Sequence, residues 1–272
     1  MPRRDSSRYD AARFYLYVGL LDFFSSELIT PLLGVLLIAL AGFTSFLTAA
    51  LGAGGGLLLL VAMASFMPMA AVIPVHGLVQ LGSNANRMLL TYRYIDKGML
   101  LYFIAGGLIG ALAASFVVSD LPLDWMKLAV GVFVLFLLWG QKPKIRESSP
   151  LGKALAGLIT TFLSMFVGAS GPLVGSYLHS KGYDKMRFTG TFSASMTMQH
   201  SLKALVYGVA GFAFWQWLPL VIAMVAAGVV GTWLGLKLLH KIPAEKFQRV
   251  VQIVLTILSI NLMWQAVDVL FF

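Results

Sequence analysis

Two segments of the chain carry polar residues at the spacing of one helix face. In segment 70–92 nearly every third or fourth residue is polar, which places a stripe on one side of a helix: His76, Gln80, Ser83, Asn84, Arg87 and Thr91. In segment 188–211 similar spacing produces a second stripe: Gln199, His200, Lys203 and Tyr207. Buried polar groups need partners, so the stripes predict either a ligand cavity or hydrogen bonds that hold the helices together.

The two stripes contain an arginine, a lysine and two histidines, but no Asp or Glu. Such groups donate hydrogen bonds and carry positive charge, whereas a cation would need carboxylate or carbonyl oxygens. The stripes therefore favour an anion, and the histidines, which titrate near neutral pH, are also candidates to hold a proton. The predicted ligand-binding side chains are His76, Gln80, Asn84, Gln199 and Lys203, with Lys203 as the main positive charge.

The composition places these stripes in a membrane. Of the 272 residues, 59% are hydrophobic and 11% are charged, and the mean hydropathy is +0.85. A soluble domain carries about 25% charged residues. Long apolar runs with charges clustered between them predict an all-α protein embedded in a lipid bilayer. The apolar segments are 32–51, 55–67, 70–92, 98–118, 124–140, 154–169, 171–180, 188–211, 217–239 and 245–270.

Composition also argues against other partners and cofactors. The net charge of +9 comes without a basic amphipathic stripe or a basic patch interleaved with aromatic residues, so no nucleic-acid partner is expected. Cysteine is absent, and the four histidines lack the spacing of a metal site. We expect no metal and no organic cofactor.

Glycine-rich breaks interrupt two apolar helices, GAGGG at 52–56 and GASGP at 168–172. Lipid cannot satisfy the backbone groups that such a break frees, so breaks persist where they line a cavity. A helix that begins there directs its N–H groups and its positive end at the cavity, and Pro172 suits the first turn of a helix. The alternative is close packing of small residues or a tight hairpin turn. The candidate anion-binding groups are the N–H groups of Gly54, Gly55, Ser170 and Gly171, together with the Ser170 hydroxyl.

The order of these features recurs along the chain, which predicts an internal repeat. Each break is followed by a polar helix, in which His76, Gln80 and Asn84 are matched in spacing by Ser195, Gln199 and Lys203. Each polar helix is followed by a Gly-x-x-Gly span and then by a proline, at Pro122 and Pro243.

Lysine and arginine predict the orientation of the two halves. With the polar loop 141–153 in the cytoplasm, Arg93 and Lys97 lie on the same side. Corresponding helices then run in opposite directions, so we predict two inverted structural repeats with broken or re-entrant helices at the Gly-rich turns. The predicted divisions are an N-terminal arm at 1–30, which is either an interfacial helix or an extra span, a transmembrane repeat at 31–140, the cytoplasmic linker at 141–153 and a second repeat at 154–272.

On these motifs, which extend over residues 32–270, the chain resembles the sulfite exporter TauE/SafE family of membrane permeases. The resemblance implies a multi-pass secondary transporter, not an enzyme, for sulfur-containing anions such as sulfite, sulfonates or sulfoacetate in a bacterial or archaeal inner membrane. Independently of the resemblance, the histidines of the two stripes make the proton a candidate coupling ion for the transported anion. The first half departs from the family pattern, because no proline follows its glycines until Pro68. A homodimer is among the assemblies that the sequence allows.

Two other classes compete with a transporter. Gly168-Ala-Ser-Gly also resembles the nucleophile motif of rhomboid intramembrane serine proteases, with Ser170 as nucleophile and His200 or His179 as its base. Against this, the position equivalent to Ser170 in the first half is Gly54, which cannot be a nucleophile. The third class is a passive anion channel, although no filter sequence is visible.

Overall fold

The computed structural model describes residues 29–51, 54–118, 122–140, 149–238 and 244–271, and these residues form ten α-helices and no strand. The proposed N-terminal arm up to residue 28 and linker residues 141–148 lie outside the described residues. The helices are α1 Pro31–Leu51, α2 Gly55–Phe66, α3 Met69–Leu90, α4 Lys97–Ser115, α5 Leu123–Trp139, α6 Pro150–Val167, α7 Gly171–His179, α8 Lys185–Val209, α9 Leu218–Leu238 and α10 Ala244–Phe271.

The predicted all-helical fold is confirmed, and each predicted apolar segment corresponds to one helix. The end of the predicted linker differs from the structure, since residues 150–153 form the first turn of α6. Ser149 begins this helix: its hydroxyl accepts a hydrogen bond from the Gly152 N–H at 3.0 Å, and Pro150 occupies the first helical position.

Five of the described helices, α1, α4, α6, α9 and α10, are long and apolar enough to cross a membrane. By contrast, α2 has 12 residues and α7 has nine, so at 1.5 Å per residue neither covers the roughly 30 Å of a bilayer core. Large apolar side chains on α10 are exposed, among them Ile257, Ile260 and Trp264. Such a surface suits contact with lipid tails, and the chain is a membrane protein with several spans.

The helices occur in the same order in both halves: long, short, long, long, long. The packing recurs as well. Helix α1 packs along α9 and α6 packs along α4, while α3 packs on α8 and α5 on α10. The main contacts of the long helices are therefore with the other half, and the two halves form one interwoven body.

The two polar helices α3 and α8 cross at the centre of this body. Gly77 lies against the Lys203 side chain, and Gly190 lies against the Thr91 carbonyl. These contacts run in opposite order along the two helices, so α3 and α8 are antiparallel. Their polar stripes face protein instead of lipid, and His76, Asn84, Arg87, Gln199, His200 and Lys203 are all buried.

A polar cluster joins the two halves at one end of the bundle. Asp96 begins α4 by accepting a hydrogen bond from the Met99 N–H, and its other oxygen accepts from the Tyr183 hydroxyl at 2.7 Å and from Arg187 at 2.8 Å. Partial burial alone would raise the pKa of Asp96, but the hydrogen bonds from Met99, Tyr183 and Arg187 outweigh it and lower that pKa to about 2. The loop between α3 and α4 is thereby attached to the start of α8.

Gly106 is expected to control the packing of α4 on α6. A Cβ atom at this position would overlap the Ala154 carbonyl of α6, so Gly106→Ala must push the helices apart. We expect a loss of about 1–3 kcal/mol of stability, as for other overpacked sites, measured by thermal unfolding in detergent. The matched control is Gly98→Ala in the same helix, where the nearest atom is 3.5 Å away. Equal stability of the two variants would contradict the close contact.

Candidate functional site

Both helix breaks meet at one cavity in the centre of the bundle. Its volume, counted for the centre of a water-sized sphere, is about 50 Å³, which is enough for a few water molecules or a small ion. Residues from α1, α2, α3, α7, α8 and both breaks line it: Thr48, Gly54, Gly56, Leu57, His76, Gln80, Asn84, Ala169, Gly171, Pro172, Phe192, Met196 and His200. None of these described residues is acidic.

The first break turns the chain back along α1. Gly54 has a φ of 101°, a conformation that strongly favours glycine, and Gly55 lies directly against the Thr44 carbonyl and the Thr48 hydroxyl, where a side chain would not fit. The first intrahelical bond of α2 is from the Leu58 N–H to the Gly54 carbonyl. The N–H groups before Leu58 therefore lack helical partners, and the positive end of α2 lies at the cavity.

The stripe of α3 contributes three lining side chains, as the predicted ligand site requires. His76 Nε2 is 2.9 Å from the Gly56 carbonyl oxygen, which can only accept, so Nε2 carries the proton. His76 Nδ1 has no hydrogen-bond partner among the described residues. Asn84 donates to the Gln80 carbonyl at 2.8 Å. The Gln80 amide lies close to Gly56, where a Cβ atom would be 3.0 Å from the amide nitrogen.

The second break is built differently, because its polar side chains bond to one another behind the cavity wall. Gly168 has a φ of 79°, and fully buried Ser170 begins α7. The Ser170 hydroxyl donates to Gln199 Oε1 at 2.6 Å, and Gln199 Nε2 donates to the hydroxyls of Thr160 at 2.7 Å and Thr161 at 3.0 Å. Neither Ser170 nor Gln199 lines the cavity, and here the wall consists of Ala169, Gly171 and Pro172.

Lys203 also lies behind the wall, and it satisfies the end of α6. Its Nζ donates to the Gly168 carbonyl at 2.7 Å, and the Tyr207 hydroxyl donates to the Met165 carbonyl at 2.7 Å. The last carbonyls of a helix lack intrahelical partners and carry its negative end, so both contacts stabilise the break. Lys203 is fully buried and is not a lining residue.

His200 lines the cavity, although the predicted ligand set omits it. Its ring lies edge-on to that of His76, with 6.3 Å between the centroids, and its Nδ1 has no partner among the described residues. The sequence did contain a signal, because Phe192, Met196 and His200 are spaced four residues apart and all three line the cavity. The predicted ligand set contains the neighbouring Gln199 instead, because Gln199 corresponds in spacing to Gln80 of the first half.

The contacts of Ser170 argue against the protease alternative. Its hydroxyl donates to an amide oxygen of Gln199, which is not a base. His179, the other candidate base, is exposed and stacks on Phe188 at 4.2 Å. In the part of the chain that the structure describes, no histidine is hydrogen-bonded to Ser170.

Interrupted helices that meet polar side chains at a cavity between membrane helices are an arrangement found in membrane transporters. The family model for Sulfite exporter TauE/SafE matches residues 35–262, and the chain therefore belongs to that family of membrane transporters. Comparison with curated proteins and with solved structures gives no match.

Ser170→Ala tests the structural role of the serine. The substitution removes the donor to Gln199 Oε1 inside a buried network, so we expect a loss of about 1–3 kcal/mol of stability, measured by thermal unfolding. Ser176→Ala in α7 is the control, because that side chain is only partly buried. A folded Ser170→Ala protein that lost several orders of magnitude of activity would instead restore the protease interpretation.

Proposed function

We propose that this protein is a secondary transporter that carries a small anion, a sulfur-containing oxyanion or an organosulfonate, across the inner membrane. The observation that carries the proposal is that both helix breaks and the α3 stripe line one cavity, and that none of its described lining residues is acidic. Membership of the TauE/SafE family supports the same function.

In this proposal the oxygens of the anion accept hydrogen bonds from donors on opposite walls. The first-turn N–H groups of α2, near Gly54 and Gly55, bind from one side, and the Gly171 N–H binds from the other. The amides of Gln80 and Asn84 and the ring of His76 complete the site. Ser170 and Gln199 act from behind the wall by fixing the second break, and Lys203 adds a positive charge beside that break.

The rest of the lining suits a small ion with an apolar part. Leu57, Pro172, Phe192 and Met196 provide apolar surface next to the donors. A sulfonate presents three oxygens at one end and carbon at the other, so it matches a cavity that offers both hydrogen-bond donors and apolar surface.

We further propose that the halves are inverted repeats, with α1–α2 and α6–α7 as re-entrant hairpins. Support comes from the repeated helix order, the short α2 and α7, and the reciprocal packing of α1 on α9 and α6 on α4. With the linker in the cytoplasm, Arg93, Lys97 and Arg187 belong to the cytoplasmic end, where the contact between Arg187 and Asp96 joins the halves.

A thermal-shift screen of the purified protein tests the function. Sulfite, sulfate, thiosulfate, methanesulfonate and acetate are compared, because a ligand that binds the folded state raises its stability. Lys203→Ala should weaken the binding of the stabilising anion at least about tenfold, since it removes a buried charge beside the cavity. Lys185→Ala, an exposed lysine of the same helix, is the control.

Absence of stabilisation by every anion would contradict the proposal, and unchanged affinity in Lys203→Ala would remove Lys203 from the site. Uptake into proteoliposomes then separates a carrier from the channel alternative. A carrier saturates and shows counterflow, whereas a passive pore does neither.

Proton coupling is part of the proposed mechanism. Because His76 donates its Nε2 proton to the Gly56 carbonyl, the neutral ring has only a lone pair at Nδ1 and cannot donate there. A second proton would make the ring cationic, and a bound anion would stabilise that charge. The binding of the anion and of one proton are then thermodynamically linked.

The affinity for methanesulfonate, which stays fully ionised at neutral pH, should therefore fall as the pH rises. The expected limit is about tenfold per pH unit for one linked proton, and His76→Gln should abolish this dependence. His179→Gln, which alters an exposed histidine, should retain it. A pH-independent affinity of the wild-type protein would exclude coupling through His76.

A further inference from the structure

Arg87 is a buried cation for which the described residues provide no counter-charge. Its exposed fraction is 5%, and its Nε atom has no hydrogen-bond partner. Within the described ranges the ion pair found is that between Arg187 and Asp96. The other carboxylates whose side chains the structure describes are in the first turn of α5, before the start of α8 and near the end of α10: Asp124, Asp184 and Asp268.

On α8, a second group without a partner among the described residues lies at the same level of the bundle as Arg87. The contact between Gly77 of α3 and Lys203 of α8 fixes the register of these antiparallel helices. Arg87 is ten residues after Gly77, and Ser193 is ten residues before Lys203, so the two residues lie at the same level. The contact of Thr91 with Gly190 agrees with this register. Ser193 is fully buried, and its hydroxyl has no partner in the described part of the chain.

This level of the bundle lies between the central cavity and the end that carries the Asp96 cluster. On α3, Arg87 follows Gln80 and Asn84 on the same helix face. On α8, Ser193 lies between Phe192 and Met196, which both line the cavity. An anion that left the central cavity towards this end would meet Arg87 next.

We propose that Arg87 and Ser193 form a second anion-binding position, which the transported oxyanion or sulfonate occupies between the central cavity and this end of the bundle. The inference rests on the proposed transport function. A guanidinium binds two oxygens of one anion through its planar fork, and the hydroxyl donates to a third. In this proposal the bound anion supplies the counter-charge that the described protein groups do not provide.

Arg87→Met separates this role from a structural one. Replacing an unpaired buried charge by an apolar chain of similar length should leave the melting temperature of the ligand-free protein unchanged or higher. The uptake of sulfite or methanesulfonate into proteoliposomes should nevertheless fall at least about tenfold, as expected when a buried charge partner is lost. Arg93→Met, which removes an exposed arginine six residues away, should change neither quantity.

Two further variants make the test specific. Arg87→Lys keeps the charge but loses the fork, so uptake should fall by about threefold or more in a protein of unchanged stability. Ser193→Ala should reduce uptake by about twofold to fivefold, as for the loss of one hydrogen bond.

The outcomes distinguish the two proposals. A lower melting temperature of Arg87→Met than of Arg93→Met, or failure of Arg87→Met to fold, would show that Arg87 stabilises the bundle and would overturn the second position. If the wild-type protein transports the anion and Arg87→Met transports it equally well, the second position is also overturned, whereas the proposed central site stands. If sulfite and methanesulfonate are neither bound nor transported by the wild-type protein, both proposals fall.

Discussion

Backbone polar groups that a broken helix frees must find partners inside the protein, because lipid offers none. At the second break, side chains satisfy the carbonyl groups at the end of α6, since Lys203 donates to Gly168 and Tyr207 donates to Met165. At the first break, His76 donates to the Gly56 carbonyl in the first turn of α2. The first N–H groups of α2 have no helical partner and lie at the cavity. The first break therefore leaves hydrogen-bond donors at the cavity, which supports the proposal that it binds an anion.

The same constraint explains why the polar residues of α3 and α8 serve two purposes. Some hold the breaks in place, as Gln199 of α8 does through Ser170 and the threonines of α6. Others, such as Gln80 and His200, line the cavity. The residues of the first group are connected and buried, so they fix the positions of the backbone donors that the second group supplements.

Sequence patterns predicted most of the fold, because apolar runs and glycine breaks are local properties. They also predicted the lining face of α3, since His76, Gln80 and Asn84 follow the period of a helix. They did not separate Gln199 from His200, because the two are neighbours in sequence and only contacts with Thr160 and Ser170 decide which one faces the cavity. The pairing of α1 with α9 and of α6 with α4 depends on distant glycines and is likewise not local information.

The small volume of the cavity has a consequence for which ions can enter it. The volume of about 50 Å³ that the centre of a water molecule can reach holds few water molecules beside an ion. An entering ion must therefore lose most of its hydration shell. The cost of dehydration rises steeply with charge. Singly charged ions such as sulfonates and hydrogensulfite therefore have an inherent advantage over doubly charged sulfate, before any hydrogen bond discriminates between them.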